Sequence, residues 1–516
     1  MKIKKGFNLI IVFIMALAAA AVFVTSFLTT IYYDMNVDVD FPHYKKETIT
    51  HLIISMAVVF AVFWFLNRKK LFEKNRTFLI LALGFCCFYC LFLILSIKPQ
   101  PVDDSKLLDE VIGQFAKGDY SAITDPSGYL YIWPFQLGYV MFGQIMQGIF
   151  GAGNYFAWDI VQMISILLTV LFLYLITREL FGDRIICSVM AFMSLGMLFF
   201  YNYVTFIYGD ILSMAPQTIA LYLTVLYLKK EKTGFGLFAA PFIGLAVVLK
   251  TNCEITLIAM VMLIILSSFK DGGNYEAYEL PKRFLGRIVL SAVIIAFVFG
   301  CKWAVDGYYC RLIGIDSVPS GSPAVSHIAM GLQESELEDG WYNGYNYRVF
   351  AENGYDSEAT KTAAIENIKE SISRFIDNPG YAAKFFARKF LTQWADPVCV
   401  STHNLDLVSR HVENPTKMMY HVVFGEGLII GRWIMNVFMS VCYLCVLIYL
   451  LRALVQKKTD APQMLFLILI FGGMLFHEFW EGSSRYAMRY YVYWLPFAAS
   501  GMKAVITGFV RKTDRK

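Results

Sequence analysis

Two adjacent carboxylates, Asp103 and Asp104, follow a long apolar run at residues 77–97. A carboxylate at a bilayer surface can serve as a general base that deprotonates an acceptor hydroxyl or amine. Two adjacent carboxylates in a medium of low dielectric constant raise each other's pKa, which suits a base. The alternative is structural, because aspartate is a favoured N-cap and residues 107–116 have the pattern of an amphipathic helix. The polar and aromatic residues further along the chain favour the catalytic interpretation.

Two more charged residues lie at the ends of apolar runs. Asp210, in the sequence Tyr208-Gly-Asp210, either caps a turn or faces an interior cavity, since ionisable groups near a membrane are costly when unpaired. Lys250 ends the run at residues 235–249, on the side of the membrane where basic residues are uncommon. Snorkelling to the interface is one role for such a lysine. Its predicted side favours binding of a lipid phosphate instead.

A dense polar cluster comes late in the chain, between residues 477 and 489. Arg485 has the planar fork that holds two phosphate oxygens, Glu481 is placed to orient it, and Arg489 follows. The alternative is an outer loop with an aromatic belt at the membrane interface. His477 and Glu478 are adjacent, but the other histidines show no ligand spacing, so no metal or other cofactor is expected and a divalent metal stays a weak alternative.

The composition indicates a membrane protein. Of the 516 residues, 57% are hydrophobic and 16% are charged, against about 25% charged in an ordinary soluble domain. About twelve runs approach the roughly 20 residues that cross a bilayer as a helix. They are residues 7–29, 49–66, 77–97, 156–176, 185–201, 211–228, 235–249, 255–268, 288–305, 422–451, 462–476 and 492–509. The fold class predicted is therefore an all-α polytopic bundle.

Short basic clusters flank these runs, and the positive-inside rule assigns them to the cytoplasm. They occur at residues 2–5, 68–76, 229–232, 282–287, 457–458 and 511–516. The prediction is a multi-pass protein of the cell membrane with both termini cytoplasmic and the bilayer as its partner. Since each cluster borders a span, nucleic acid is not expected as a partner.

The same topology divides the chain into three parts. Residues 1–306 form a transmembrane module whose outer loop, 98–132, carries the two aspartates; residues 307–421 form an extracytoplasmic segment; residues 422–516 return to the membrane. Within the outer segment, residues 358–377 and 381–394 have helical spacing, and the second is predicted to lie on the bilayer with its cations facing water. Cys310 and Cys399 are the two cysteines of this segment, and a disulfide between them is left open.

At this point the chain resembles the GT-C-fold membrane glycosyltransferases, in the branch of ArnT-like and protein-mannosyltransferase-like enzymes. The resemblance covers most of residues 77–305 and parts of the last spans. It depends on the order of Pro101-Val-Asp-Asp104, Gly118-Asp-Tyr120, residues 129–138 with Pro134-Phe-Gln136, Tyr208-Gly-Asp210, Leu249-Lys250 and residues 481–486.

The resemblance implies transfer of one sugar from a polyprenyl-phosphate donor to an extracytoplasmic acceptor, with inversion. It implies Asp104 as the base, with Asp103 as the second choice. The substrate-binding residues predicted are Lys250, Arg485, Asp210, Tyr208, Gln136, Glu481 and Arg489. Two features depart from the family: the acidic loop follows the third span instead of the first, and the pair is Asp-Asp, which argues against protein O-mannosylation.

A polytopic transporter or lipid flippase is the alternative function. It would place polar groups near the bilayer midplane and show symmetric halves. Here the polar residues gather at the ends of spans, and no repeat is present. No P-loop, dinucleotide fingerprint or nucleophile elbow occurs, so a cytosolic nucleotide-sugar site has no support.

Overall fold

The computed structural model describes residues 2–269, 279–457 and 459–513. Within these residues the chain is almost entirely helical, with one two-stranded hairpin. The predicted all-α polytopic fold is confirmed. Of the predicted cytoplasmic basic clusters, Lys458, Arg515 and Lys516 lie outside the described residues.

The first half of the chain contains the helices that carry the two aspartates and Lys250. In chain order the elements are α1 (Lys2–Leu28), β1 (Thr29–Tyr32), β2 (His43–Lys46), α2 (Ile49–Arg68), α3 (Asn75–Ile97), α4 (Asp103–Phe115), α5 (Ser121–Thr124), α6 (Tyr129–Ile132), α7 (Leu137–Phe150), α8 (Tyr155–Phe181), α9 (Arg184–Met193), α10 (Leu198–Asn202), α11 (Gly209–Leu212), α12 (Met214–Lys230), α13 (Thr233–Leu249) and α14 (Glu254–Leu266).

The second half adds the outer segment and the last spans. Its elements are α15 (Glu279–Ile313), α16 (Ala324–Gly331), α17 (Tyr345–Glu352), α18 (Ser357–Asp377), α19 (Pro379–Trp394), α20 (Ser401–Ser409), α21 (Lys417–Val423), α22 (Glu426–Gln456), α23 (Ala461–Phe479) and α24 (Ser484–Thr513). Short 3₁₀ turns lie between some of them, at Leu71–Glu73, Pro134–Gln136, Ser194–Gly196, Tyr203–Thr205 and Thr251–Cys253.

Eight of the described helical segments are long and apolar enough to cross a bilayer, or nine if one bent pair counts as a span. Three other predicted spans are also helices. Two of them, α13 and α14, are shorter apolar helices, and α24 includes Lys503 and several tyrosines within its apolar stretch. Large apolar side chains on α1, α2, α3 and α15 are exposed, which gives the bundle an apolar outer surface suited to lipid.

Helices far apart in sequence form the centre of the bundle. Helix α22 packs on both α1 and α24, and α12 packs on α8 and α13. A glycine allows close approach of α24 to α22, since a Cβ at Gly501 would meet the carbonyl oxygen of Cys445 at 1.8 Å. The N-terminal span is thereby fixed against the C-terminal spans, which brings the two ends of the chain to the same bundle.

One predicted span is broken. Residues 185–201 were expected to cross as one helix, but α9 and α10 are bent by 56° at residue 197. The following stretch, predicted as an outer turn, is buried inside the bundle. Its polar groups are paired there: Asn202 accepts a hydrogen bond from Tyr89 at 2.9 Å and donates one to Ser401 at 3.1 Å. Non-helical backbone is tolerated at such depth because protein groups surround it.

The predicted outer helices exist, and one of them is more enclosed than expected. Helix α18 matches the predicted residues 358–377, and α19 covers the predicted residues 381–394. The prediction that all cations of α19 face water is wrong for Lys389. Its ammonium is buried and donates to the carbonyl oxygens of Gly331 (2.5 Å), Glu478 (3.0 Å) and Trp480 (2.7 Å). These carbonyls have no helical partner of their own, so the cation ties the outer segment to the end of α23.

The possible disulfide does not form. Cys310 and Cys399 are both free thiols, one partly exposed and the other buried. Cys399 instead lies at the start of α20, where its carbonyl oxygen accepts a hydrogen bond from Tyr203 at 2.5 Å. The outer segment is held to the spans by such polar contacts rather than by a covalent bond.

Candidate active site

The two aspartates lie in the first turn of α4, and neither of them caps the helix. The N-cap is Val102, whose amide donates to the hydroxyl of Ser105 at 2.9 Å, so Ser105 supplies the capping oxygen. The structural alternative for the acidic pair is therefore not observed. Asp103 also has a φ of +47°, a left-handed conformation that aspartate tolerates better than most residues. The pair is thus available for a role other than capping.

The charged surroundings of the pair include Arg485. Burial raises the pKa of Asp103, the Arg485 guanidinium lowers it, and Asp104 raises it. Asp104 acts electrostatically on Tyr208, Tyr342 and Glu481. Asp104 itself is exposed. The aspartates are therefore exposed, and Asp103 lies within electrostatic range of Arg485, so a substrate hydroxyl could reach them.

Asp210 and Lys250 form a buried ion pair. The Lys250 ammonium lies 3.0 Å from an Asp210 carboxylate oxygen and 4.2 Å from the centre of the Tyr208 ring. Asp210 is only 2% exposed. Gly209 makes the pairing possible, because a Cβ there would lie 2.3 Å from the carbonyl oxygen of Leu249. Asp210 was expected either to cap a turn or to face the interior. The structure shows an interior carboxylate that is paired with Lys250.

Gln136 and Arg489 support this pair from two sides. The Gln136 amide donates to the Tyr208 hydroxyl at 2.5 Å, so the 3₁₀ turn before α7 fixes the Tyr208 ring. Arg489 lies 4.0 Å from Asp210 and donates to Gln217 (2.7 Å) and to the hydroxyl of Ser213 (2.9 Å). With its donors so occupied, Arg489 holds the turn at α11 in place. A direct contact of Arg489 with substrate stays a prediction.

Arg485 differs from these cations because it has no carboxylate partner. It lies in the first turn of α24, which begins at Ser484 rather than at the predicted residue 492. Within the described parts of the chain its guanidinium forms no ion pair, its Nε is buried without a hydrogen-bond partner, and it donates only to the Tyr486 hydroxyl at 3.3 Å. A buried guanidinium with free donors is a ready site for an anion.

Glu481 orients Arg485 indirectly. Its carboxylate accepts a hydrogen bond from the Tyr486 hydroxyl at 2.9 Å, and that hydroxyl in turn meets the Arg485 guanidinium. Burial raises the pKa of Glu481, whereas Tyr486 and Arg485 lower it. The predicted partnership of Glu481 and Arg485 is therefore made through Tyr486, which is not among the predicted substrate-binding residues.

Two further residues at the site were not predicted. Asp40, in the loop between β1 and β2, acts electrostatically on Glu481 and interacts with Arg485 and Asp103. His403 on α20 interacts with both Asp40 and Asp103. The topology contained a usable indication for Asp40, because residues between the first two spans lie on the same predicted side as the acidic loop 98–132. Nothing comparable in the sequence points to His403.

No group of three or more His, Cys, Asp or Glu side chains able to hold a metal ion occurs in residues 2–269, 279–457 and 459–513. His477 is one of the residues considered for such a role. It is buried in α23, and its Nδ1 lies 3.4 Å from the carbonyl oxygen of Glu481. The backbone carbonyl of its neighbour Glu478 accepts a hydrogen bond from Lys389.

Residues 137–298 match the family model described as dolichyl-phosphate-mannose-protein mannosyltransferase. The resemblance to the GT-C-fold membrane glycosyltransferases is confirmed. The matched segment runs from α7 into α15 and contains Tyr208, Asp210 and Lys250. Asp103, Asp104 and Arg485 lie outside it. None of the curated proteins matches the sequence.

Two kinds of solved structure are similar to the chain. One is the oligosaccharyltransferase AglB from Archaeoglobus fulgidus with an inhibitory peptide and a dolichol-phosphate, at 16% identity and a TM-score of 0.42, covering 86% of this chain and 52% of that one. The other is ArnT from Cupriavidus metallidurans bound to undecaprenyl phosphate, at 12% identity and a TM-score of 0.30, covering 83% and 77%. The chain thus spans about half the length of AglB.

A buried histidine beside the site makes the outer segment sensitive to acid. The His327 ring on α16 stacks on the ring of Trp480, with the ring centres 4.8 Å apart. Trp480 directly precedes Glu481 in the sequence. Burial lowers the pKa of His327 to about 4. Because the unfolded histidine titrates near about 6.5, the unfolded chain binds more protons between these values, and stability falls as the pH drops through this range.

We expect the unfolding free energy of the outer segment to fall by up to about 1.4 kcal/mol per pH unit below about pH 6.5. Hydrogen exchange of α16 between pH 7 and 5, corrected for the intrinsic rate, measures this. His327→Phe should reduce the slope, whereas the exposed His411→Gln should leave it unchanged. Equal slopes in wild type and His327→Phe would contradict the assignment.

Proposed function

We propose that the protein is a membrane glycosyltransferase that moves a single sugar from a polyprenyl-phosphate donor to an extracytoplasmic acceptor, with inversion. The observation that carries the proposal is the buried guanidinium of Arg485, which has free donors and forms no ion pair within the described residues. Lys250 and Arg489 lie 3.0 and 4.0 Å from the buried Asp210 carboxylate, so their charge is already partly offset. Unpaired charge in a dry site is costly, and a phosphate would offset it.

The exposed aspartates Asp103 and Asp104 supply the general base for the transfer. Asp104 accepts the proton of the acceptor hydroxyl or amine while the acceptor atom attacks the anomeric carbon from the face opposite the phosphate. The bond between that carbon and the phosphate oxygen breaks, and polyprenyl phosphate departs with the electron pair. The Arg485 guanidinium stabilises the charge that develops on the phosphate. Asp103, beside the same cation, is the second choice for the base.

Each supporting residue then has a role that its contacts suggest. Lys250 lends positive potential to the phosphate from beneath the Tyr208 ring, and Gln136 fixes that ring. Glu481 and Tyr486 keep the guanidinium pointed at the opening. Binding energy and orientation of this kind convert a reaction between two molecules into one within a complex. The acidic pair and the cations would face the outside of the cell membrane, with both termini in the cytoplasm.

The test uses the purified full chain in lipid nanodiscs with undecaprenyl-phosphate mannose and undecaprenyl-phosphate glucose, each labelled in the sugar. We expect the label of one donor to leave the lipid fraction when an extract of envelope glycans, lipids and proteins is added. Heat-treated protein serves as the control. The same protein is also reconstituted in vesicles. If the label moves to the other leaflet while it stays attached to the lipid, the protein is a flippase and the proposal is wrong.

A further inference from the structure

The loop between β1 and β2 is fastened directly beside Arg485. Strand pairing runs from Thr29 opposite Lys46 to Tyr32 opposite His43, so the loop closes over a short hairpin. At its start, the Tyr33 hydroxyl lies 2.9 Å from the hydroxyl of Ser484, the residue that precedes Arg485. The same hydroxyl donates to the buried Asp396 at 2.9 Å. These hydrogen bonds therefore fix the start of the loop against the first turn of α24.

The rest of the loop is tied to α20 and α22. The amide of Asn36 donates to Asp406 at 2.7 Å, and Arg410 pairs with both Asp38 and Asp406. Arg432 donates to the carbonyl oxygen of Tyr33 at 2.7 Å. With anchors at residues 33, 36 and 38 and strand β2 beginning at residue 43, the path of residue 40 is strongly constrained. Asp40 lies on the side of the loop that interacts with Arg485, His403 and Asp103.

The charges on this side of the site are mostly negative. Asp40, Asp103 and Glu481 each interact electrostatically with Arg485, and Asp104 acts on Glu481, while Lys250 and Arg489 lie against Asp210. Burial raises the pKa of Asp40 and Arg485 lowers it. His403 is 1% exposed, and its Nε2 has no hydrogen-bond partner in the described chain. Carboxylates with an unpaired ring nitrogen beside them match a ligand rich in hydroxyl groups.

We infer that Asp40 contacts the sugar of the donor and selects against a sugar that carries a carboxylate. The inference rests on the proposed function, because Arg485 must hold the phosphate. The sugar ring is bonded to that phosphate, so it occupies the space next to Arg485 where Asp40, Asp103 and His403 converge. A neutral ring donates its hydroxyls to these carboxylates, whereas an anionic ring meets like charge in a site with few waters.

The experiment compares two donors on the intact protein in detergent micelles at low ionic strength. The probes are undecaprenyl-phosphate glucose and undecaprenyl-phosphate glucuronic acid, each competing against labelled undecaprenyl phosphate. The wild type should bind the glucose donor at least about tenfold more tightly. Asp40→Asn should reduce that ratio to about threefold or less. A merely structural role of Asp40 would weaken both donors together and leave the ratio unchanged.

Two variants complete the design. Asp125→Asn removes one exposed carboxylate from the predicted outer loop 98–132, away from the anchored loop, and it should keep the wild-type ratio. Asp40→Glu restores the charge and should restore the ratio. If the wild type binds both donors equally, or if Asp40→Asn keeps the full ratio, the inference is wrong and the proposed function stands. If the wild type binds no undecaprenyl phosphate at all, both are wrong.

Discussion

Asp104→Asn should reduce sugar transfer severely and leave the protein folded. The amide cannot accept the proton of the attacking hydroxyl, and loss of a general base lowers the rate by about 10²–10⁴-fold. Because Asp104 makes no capping contact in α4, the substitution removes no hydrogen bond that the helix depends on. Transfer of labelled sugar from a defined undecaprenyl-phosphate donor measures the rate, and size-exclusion chromatography measures folding.

Matched variants separate the two carboxylates. Asp103→Asn should reduce the rate less than Asp104→Asn, since Asp103 is the neighbour that contributes charge rather than the base. Asp125→Asn alters an exposed aspartate of the same predicted loop and should change nothing. If Asp104→Asn retains full activity while Asp103→Asn loses it, the base is Asp103. Full activity in both variants removes the acidic pair from the mechanism.

Arg485→Lys should reduce transfer by about 10²–10³-fold, which corresponds to about 2–4 kcal/mol of lost transition-state stabilisation. Lysine keeps the charge but loses the planar fork that matches two phosphate oxygens. The site offers little compensation, because Lys250 is already paired with Asp210 and the donors of Arg489 are occupied. Kinetics with the same labelled donor give the rate.

The ligand-induced rise in thermal stability provides a second readout for Arg485. Binding to the folded state alone stabilises a protein by about 2.7 kcal/mol when the ligand is present at 100 times its dissociation constant. Undecaprenyl phosphate should therefore raise the melting temperature of the wild type and have much less effect on Arg485→Lys. Arg374→Lys, at an exposed site on α18, is the control and should behave as the wild type. An unchanged shift in Arg485→Lys would remove Arg485 from the phosphate site.

Much of the fold followed from the distribution of apolar residues. Runs such as residues 77–97 and 422–451 must form helices, because a bilayer offers no partner for an unpaired backbone group. The described structure places helices over all twelve predicted runs and bends one of them sharply, residues 185–201. The break was not predictable from hydropathy. It depends on Asn202 finding Tyr89 and Ser401, which are distant in sequence.

The charged residues of the candidate site could also be predicted from the sequence, whereas their ion-pair partners could not. A charge at the end of an apolar run is costly unless it is paired or bound, so Asp210 and Lys250 could be singled out, and Arg485 stood out in the polar cluster at residues 477–489. The sequence could not say that Asp210 takes Lys250 as its partner while Arg485 keeps free donors. That distinction depends on the close approach of Gly209 to Leu249 and on the point where α24 begins.

The sequence by itself determined the membrane class, the helices and the candidate charged residues, since each follows from the cost of burying polar groups along a local stretch of chain. Only the tertiary structure decided which charges are neutralised and which stay open. It brought Asp40 within electrostatic range of Arg485 and His403, which lie several hundred residues further along the chain. Electrostatic energy depends on distance in space and on exclusion of water, and neither quantity is encoded in the spacing of residues along the chain.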